Sequence, residues 1–448
     1  MTVVDAARAA SPSRSRGRDR AIDLIRAVCI VGVVLLHAMM VGVEVTATGP
    51  AFLNASDGAW WIVPLSWALQ VMPLFFVIGG FSGVTAFRRA RARGGSAREF
   101  VAGRIHRLLL PAVVTIGAAG ALLAMLSAAG VGADLVSLAG FRFAQPLWFL
   151  GVFLVCQALL PVLVRLHESA PLRSLGVLAG LALIVDVARI ATGVDALGFI
   201  NLAFVWLALQ QVGFFLADGA IDALSRRTRA IAAAGATAML ALSFAGGIHS
   251  PDLVANINPP TTALLLVGVI HTALFSLYRA HVERLAQRRV PGALTAFVTP
   301  RAMTIYLWHM PVLLSLAGIT AAAAMTSGMP LPPIDGPGWW IGRPLWLAVA
   351  LLVTAVVARP LSRIEAVRAP AATRSVRRLI AATSVGAAAV ALLLVAGTTA
   401  FTATAAVALL IAALRLARTP VRSSRVTASS LSRIAEGSPV RVGAAGGW

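Results

Sequence analysis

The chain has 448 residues, 59% of them hydrophobic and only 12% charged. Soluble domains carry about 25% charged residues, so this composition excludes an ordinary soluble protein and indicates an integral membrane protein. The formal net charge of +21 comes from arginine alone, and the arginines sit at the ends of apolar runs rather than on a basic face interleaved with aromatics, which excludes nucleic acid as a partner.

Apolar runs long enough to cross about 30 Å of hydrocarbon recur at roughly 22–43, 60–85, 108–129, 146–164, 172–192, 198–216, 230–247, 261–278, 302–322 and 339–358. A further block at 379–414 is too long for one ordinary span and is interrupted by "GTT" at 397–399, which predicts two short helices. The expected fold is an all-α polytopic membrane protein, with about ten core transmembrane helices and a C-terminal two-helix hairpin. The organisation reads as a basic cytoplasmic tail (1–19), a transmembrane core (20–366), the additional hairpin (367–415) and a basic disordered cytoplasmic tail (416–448).

Arginine-rich loops alternate with loops nearly free of arginine. The N-terminal tail, the stretch "RRARARGGSAREFVAGRIHR" at 88–107 and the loops near 165–173, 226–229, 279–301 and 359–378 are basic. The intervening loops carry Glu44, Asp57, Asp134, Asp195, Asp252 and Asp335. By the positive-inside rule this predicts a multi-pass protein of the cell membrane with both termini cytoplasmic. The first run is too long for a signal-peptide core, so it is expected to be its own insertion signal.

The first span, "RAIDLIRAVCIVGVVLLHAMM" at 20–40, carries Asp23, Arg26 and His37 in an otherwise apolar run. Eleven residues separate Arg26 from His37; in an α-helix that is only ~20° beyond three full turns and roughly 16 Å of rise. Both residues therefore share a face, and Asp23 can pair with Arg26 at i, i+3. Arginine presents a planar fork of donors suited to phosphate, and a neutral histidine inside the bilayer can accept a proton or carry out nucleophilic chemistry. No second titratable group lies within a turn of His37 along the helix. An ordinary interface anchor at Arg26 and a helix-packing bond at His37 are the bland alternatives.

The same span resembles the signature of the acyltransferase 3 family, integral membrane O-acyltransferases with an Arg, ten residues, then a His. "PLFFVIGGF" at 73–81, "RIHR" at 104–107, "PLWFL" at 146–150 and "YLWHMPV" at 306–312 are similar to further segments of that family, in the same order. The resemblance covers about residues 20–366. Many members carry Ser where this chain has Gly79.

The resemblance implies ten helices, an acyl-CoA donor (acetyl-CoA in the simplest case) arriving from the cytoplasm, and transfer to a hydroxyl on an acceptor that is usually extracytoplasmic. The acceptor classes are a glycan, a lipid-linked sugar or a lipid. His37 becomes the catalytic candidate, as general base or transient acyl carrier. Arg26, Arg104 and Arg107 become a cationic cradle for coenzyme A phosphates, the latter pair sharing a helix face at i, i+3. His309 and Tyr306, three residues apart, are assigned a supporting contact to the acyl carbonyl or cofactor arm. Trp148 and Phe149 are expected to wall the acyl chain, and Trp60, Trp61, Trp339 and Trp340 to be interface anchors.

The remaining polar groups are read as structural. Asp186 and Arg189 are expected to pair within the fifth span, and Arg142, Arg189 and Arg343 are the arginines placed outside, within reach of a polar acceptor. His167 and His271 are assigned to packing. The histidines lack ligand spacing, and Cys29 and Cys156 lie far apart in apolar segments, so no metal and no disulfide framework are expected. A transporter or flippase for an anionic or lipid-linked molecule is the alternative function. Two repeated halves with helices broken at matching positions would mark it, and the short motifs each occur once.

Overall fold

The computed structural model describes residues 19–47 and 49–419; most of the tails read at 1–19 and 416–448 lies outside them. Twelve helical segments among the described residues are long and apolar enough to cross a membrane. The architecture is an all-α polytopic membrane protein. In hydrocarbon every backbone N–H and C=O needs an internal partner, and a helix meets that need within one segment.

Helix α1 (Arg20–Met40) is capped by Asp19, whose carboxylate accepts from the Ile22 amide at 3.1 Å. It lies at the centre of the bundle, against α3 (Met72–Ala92), α10 (Ala263–Ala286), α11 (Arg289–Val298), α12 (Ala302–Ser327) and α13 (Pro337–Leu361). The first span ends earlier than expected. After Met40 the alternating, β-branched "VGVEVT" leaves the helix as strand β1 (Val41–Thr46), antiparallel to β2 (Gly49–Asn54), with Val41 opposite Asn54. Val and Thr fit a pleated, half-buried ribbon.

Two apolar cores flank the centre. One joins α3, α6 (Trp148–Ser169), α8 (Asn201–Ala217) and α10 around Phe76, Trp206 and Phe214. Here α3 and α8 approach so closely that a side-chain carbon at Gly80 or Gly213 would strike the backbone of the other helix, which accounts for the second glycine of "VIGGF". The other core joins α4 (Ala97–Ala128), α6, α14 (Val376–Ala396) and α15 (Ala400–Ala417). The last two helices form the expected hairpin. Gly397 takes a positive φ at the turn, and Thr399 and Thr402 cap α15 reciprocally.

Two local expectations fail. Asp186 does not pair with Arg189. Its carboxylate accepts from the Thr262 amide and hydroxyl, both at 2.7 Å, from Asn201 at 3.0 Å, and faces His249 at 3.5 Å. Arg189 turns instead to Asp195 at 3.7 Å. At i, i+3 the pair had the right spacing, but the loop before α10 brings two donors to within 2.7 Å of the carboxylate. Of the four tryptophans read as interface anchors, Trp61 and Trp339 are buried and stack on each other, joining α2 (Ile62–Leu69) to α13.

Candidate active site

Three spans are interrupted next to a proline. The breaks fall at 70–71 before Pro73, at 145–147 around Pro146, and at 299–301 around Pro300. Proline removes a backbone donor and disfavours helix at the preceding residue. Irregular backbone at membrane depth is tolerated where it is buried or lines a cavity, and all three breaks border one cavity of about 310 Å³. Side chains meet some of the freed carbonyls: the Tyr306 hydroxyl donates to Pro146 O at 2.7 Å, and Arg301 donates to Phe297 O at 2.9 Å.

Arg26, His37, Arg104, Arg107 and Tyr306 all line this cavity, with Trp148 and Phe149 on its wall. Arg26 is held in place by Asp23 at 3.1 Å and by a hydrogen bond to Ser82. Ser82 thus supplies, one turn later, a hydroxyl beside the cavity that Gly79 lacks. Arg104 lies over the Phe100 ring, 4.9 Å from its centroid. The three guanidinium groups gather at one end of the cavity and His37 lies deeper, as the helical spacing requires.

His309 does not line the cavity. It backs His37, with its Nε2 at 3.3 Å from His37 Nδ1 and ring centroids 5.0 Å apart. This corrects the isolation of His37 along its own helix: a second imidazole reaches it from α12. The carbonyls around the pair settle which nitrogen donates. Tyr306 O can only accept, so His309 Nδ1 carries a hydrogen toward it. Val33 O, at 2.9 Å, likewise requires a hydrogen on His37 Nδ1. With both rings neutral, His309 Nε2 is an acceptor facing that same N–H, and His37 Nε2 keeps a lone pair without a hydrogen-bond partner among the described residues. The Tyr306 hydroxyl is committed to Pro146, so its ring, packed edge-on to Phe149 at 4.9 Å, is what it offers the cavity.

Arg343, read as an outer arginine within reach of a polar acceptor, closes the far end of α1. Its Nη2 donates to the carbonyls of Ala38 and Met39 at 2.7 Å and Val41 at 2.6 Å, and the guanidinium stacks on Trp339 at 4.2 Å. A cation at a helix C-terminus satisfies the last carbonyls and the helix dipole. The turn that follows His37 is thereby fixed.

Five polar residues on the cavity were not singled out from the sequence: Gln70, Ser82, Gln157, Thr299 and Glu365. Gln70 Oε1 and Gln157 Nε2 are buried without a hydrogen-bond partner among the described residues, which suits them to a ligand's amide groups. A lone glutamine inside "GVFLVCQALLPVL" was a readable signal, because a polar side chain in a span is costly unless used. Glu365, just past the end of α13, accepts from the Thr304 amide at 2.6 Å. Burial raises its carboxyl above the usual value, against the pull of Thr304 and Arg107. No group of three or more His, Cys, Asp or Glu side chains positioned to hold a metal occurs among the described residues.

Residues 19–363 match the family described as an acyltransferase domain, the acyltransferase 3 family that the five segments resemble. The chain belongs to that family and is a multi-pass membrane acyltransferase. No curated protein and no solved structure matches it.

Proposed function

We propose that the protein transfers an acyl group, acetyl in the simplest case, from cytoplasmic acyl-CoA to a hydroxyl of an extracytoplasmic glycan or lipid-linked sugar. The reading rests on one observation above the others: a histidine with a free Nε2 lone pair lies in a cavity whose other end gathers Arg26, Arg104 and Arg107. The arginines suit the donor's phosphates, and the orphaned amides of Gln70 and Gln157 suit its peptide-like arm.

In this mechanism His37 Nε2 takes the proton of the acceptor hydroxyl as its oxygen attacks the thioester carbonyl. The carbon–oxygen bond forms, the carbon–sulfur bond breaks, and the departing thiolate receives the proton back from His37. While His37 is protonated, its Nδ1–H strengthens the hydrogen bond to His309 Nε2, so a neutral imidazole takes the orienting part that a carboxylate plays elsewhere. The alternating arginine loops support a cell-membrane location with both termini cytoplasmic, so that the donor reaches the arginine end from inside.

Sealed vesicles of known orientation test the reading. Labelled acyl-CoA supplied to the outside should label inside-out vesicles and leave right-side-out vesicles unlabelled. Equal labelling of both, with membranes intact, would overturn the assigned sidedness.

A further inference from the structure

The family domain ends at residue 363, yet the residues that follow build part of the site. Beyond the arginine end of the inner cavity lies a second, open basin of about 440 Å³. One wall is α4, through Phe100, Arg104 and Arg107; the other is the linker between α13 and α14, through Glu365, Arg368 and Ala369. Arg104, Arg107 and Glu365 border both spaces. A ligand running from one to the other must pass these three side chains.

The linker is tied down on both sides of the basin. At its start Glu365 accepts from Thr304 of α12. At its end the Thr373 amide donates to Ala417 O at 3.0 Å, the Thr419 amide donates to Ala371 O at 2.8 Å, and Arg98 of α4 donates to Arg374 O at 2.9 Å. The hairpin α14–α15 packs in turn on α4 and α6. Its place is therefore structural support for a wall that the core alone does not supply.

We propose that this basin binds the adenosine bisphosphate end of the donor, with residues 365–369 as its specificity-bearing wall. The inference rests on acyl-CoA being the donor. The inner cavity takes the thioester and arm, and the nucleotide stays in the basin. Arg104, Arg107 and exposed Arg368 meet its phosphates, and the Phe100 ring beneath Arg104 offers an aromatic face. The Glu365 carboxylate, whose Oε1 is held by Thr304, accepts an N–H of the ligand where the two spaces meet.

Binding of coenzyme A and of pantetheine, which lacks the nucleotide, to the full chain in phosphatidylcholine nanodiscs provides the test. Arg368→Glu, and separately Ala369→Trp to fill the basin, should each weaken coenzyme A about tenfold, the worth of one charge-assisted contact. Neither should change pantetheine binding, and adenosine 3′,5′-bisphosphate should compete with coenzyme A but not with pantetheine. Parent-like coenzyme A affinity in both variants overturns the proposal, as do equal losses for both ligands. A lipid headgroup carries similar phosphate chemistry; if added phosphatidylglycerol displaces coenzyme A from the parent and not from Arg368→Glu, the basin is a lipid site and the proposal fails. A parent that binds neither coenzyme A nor pantetheine overturns the donor reading itself.

Discussion

Of two histidine contacts in this bundle, His167–Asp218 and His37–His309, the one that looks more like catalytic machinery is not at the cavity. His167 donates from Nε2 to the Asp218 carboxylate at 3.0 Å, the arrangement of a base and its orienting acid. Its Nδ1, however, faces the Gln211 amide at 3.4 Å, Asp218 also takes Arg88, and none of these residues lines the cavity that holds His37. The His37–His309 pair has no carboxylate beside it, but it leaves one ring nitrogen free at a cavity. What separates a site from a strut is the uncommitted lone pair and the space in front of it. A buried polar group with its atoms paired needs no ligand to satisfy it.

The largest effect should come from His37→Ala, which removes that lone pair. Acyl transfer should fall at least a hundredfold, the lower range for a lost general base, with membrane insertion and abundance near the parent's. Turnover above a tenth of the parent rate in matched membranes would erase the distinction between the pairs.

His309→Gln sharpens the comparison further. The glutamine can still bond near His37 Nδ1 but no longer presents an imidazole nitrogen to the imidazolium. We expect turnover to fall about tenfold, with the Michaelis constant for donor unchanged and the acid limb of the pH–rate profile displaced. An unchanged turnover and profile would make His309 a packing residue.

Arg26→Lys probes the other end of the same cavity. Lysine keeps the charge that orients the span and loses the fork that bonds Asp23 and Ser82 together. Coenzyme A should bind about tenfold more weakly, as read by titration of detergent-solubilised protein. Parent affinity would reduce Arg26 to an interface anchor.

How much of this was legible beforehand depended on whether the relation lay along one helix or between two. Arg26 and His37 share a helix, and helical period alone puts them on one face. Arg104 and Arg107 follow the same rule. The pairing of His37 with His309 spans 272 residues and depends on the relative rotation of α1 and α12, which no periodicity encodes. Asp186 and Arg189 show the limit from the other side: correct spacing existed, and a tertiary partner from before α10 took the carboxylate. The helix breaks did have a local signal in Pro73, Pro146 and Pro300, but only packing shows that all three open onto one space. The partners of Arg343 were hidden for a related reason. Its position near an outer loop was visible, whereas the three α1 carbonyls it binds were not.

The smallest expected effect belongs to the pair that resembles a catalytic dyad. Burial by itself would raise the Asp218 carboxyl, but the hydrogen bonds from His167 and Arg88 outweigh it and hold the group below its ordinary value. A lowered folded-state value means stability that is present above the unfolded carboxylate range, about pH 4, and is lost as pH falls through the folded value. Asp218→Asn should therefore lower the unfolding midpoint by a few degrees at pH 7, with solvent screening of the half-exposed partners keeping the effect small. The gap to the parent should close as the pH falls below about 4. Turnover per folded molecule should stay at the parent value at every pH, because His167 has no free nitrogen to offer a substrate. A loss of turnover in Asp218→Asn protein that unfolds normally would show that a fully bonded histidine can still serve the reaction, and would break the rule drawn from the two pairs.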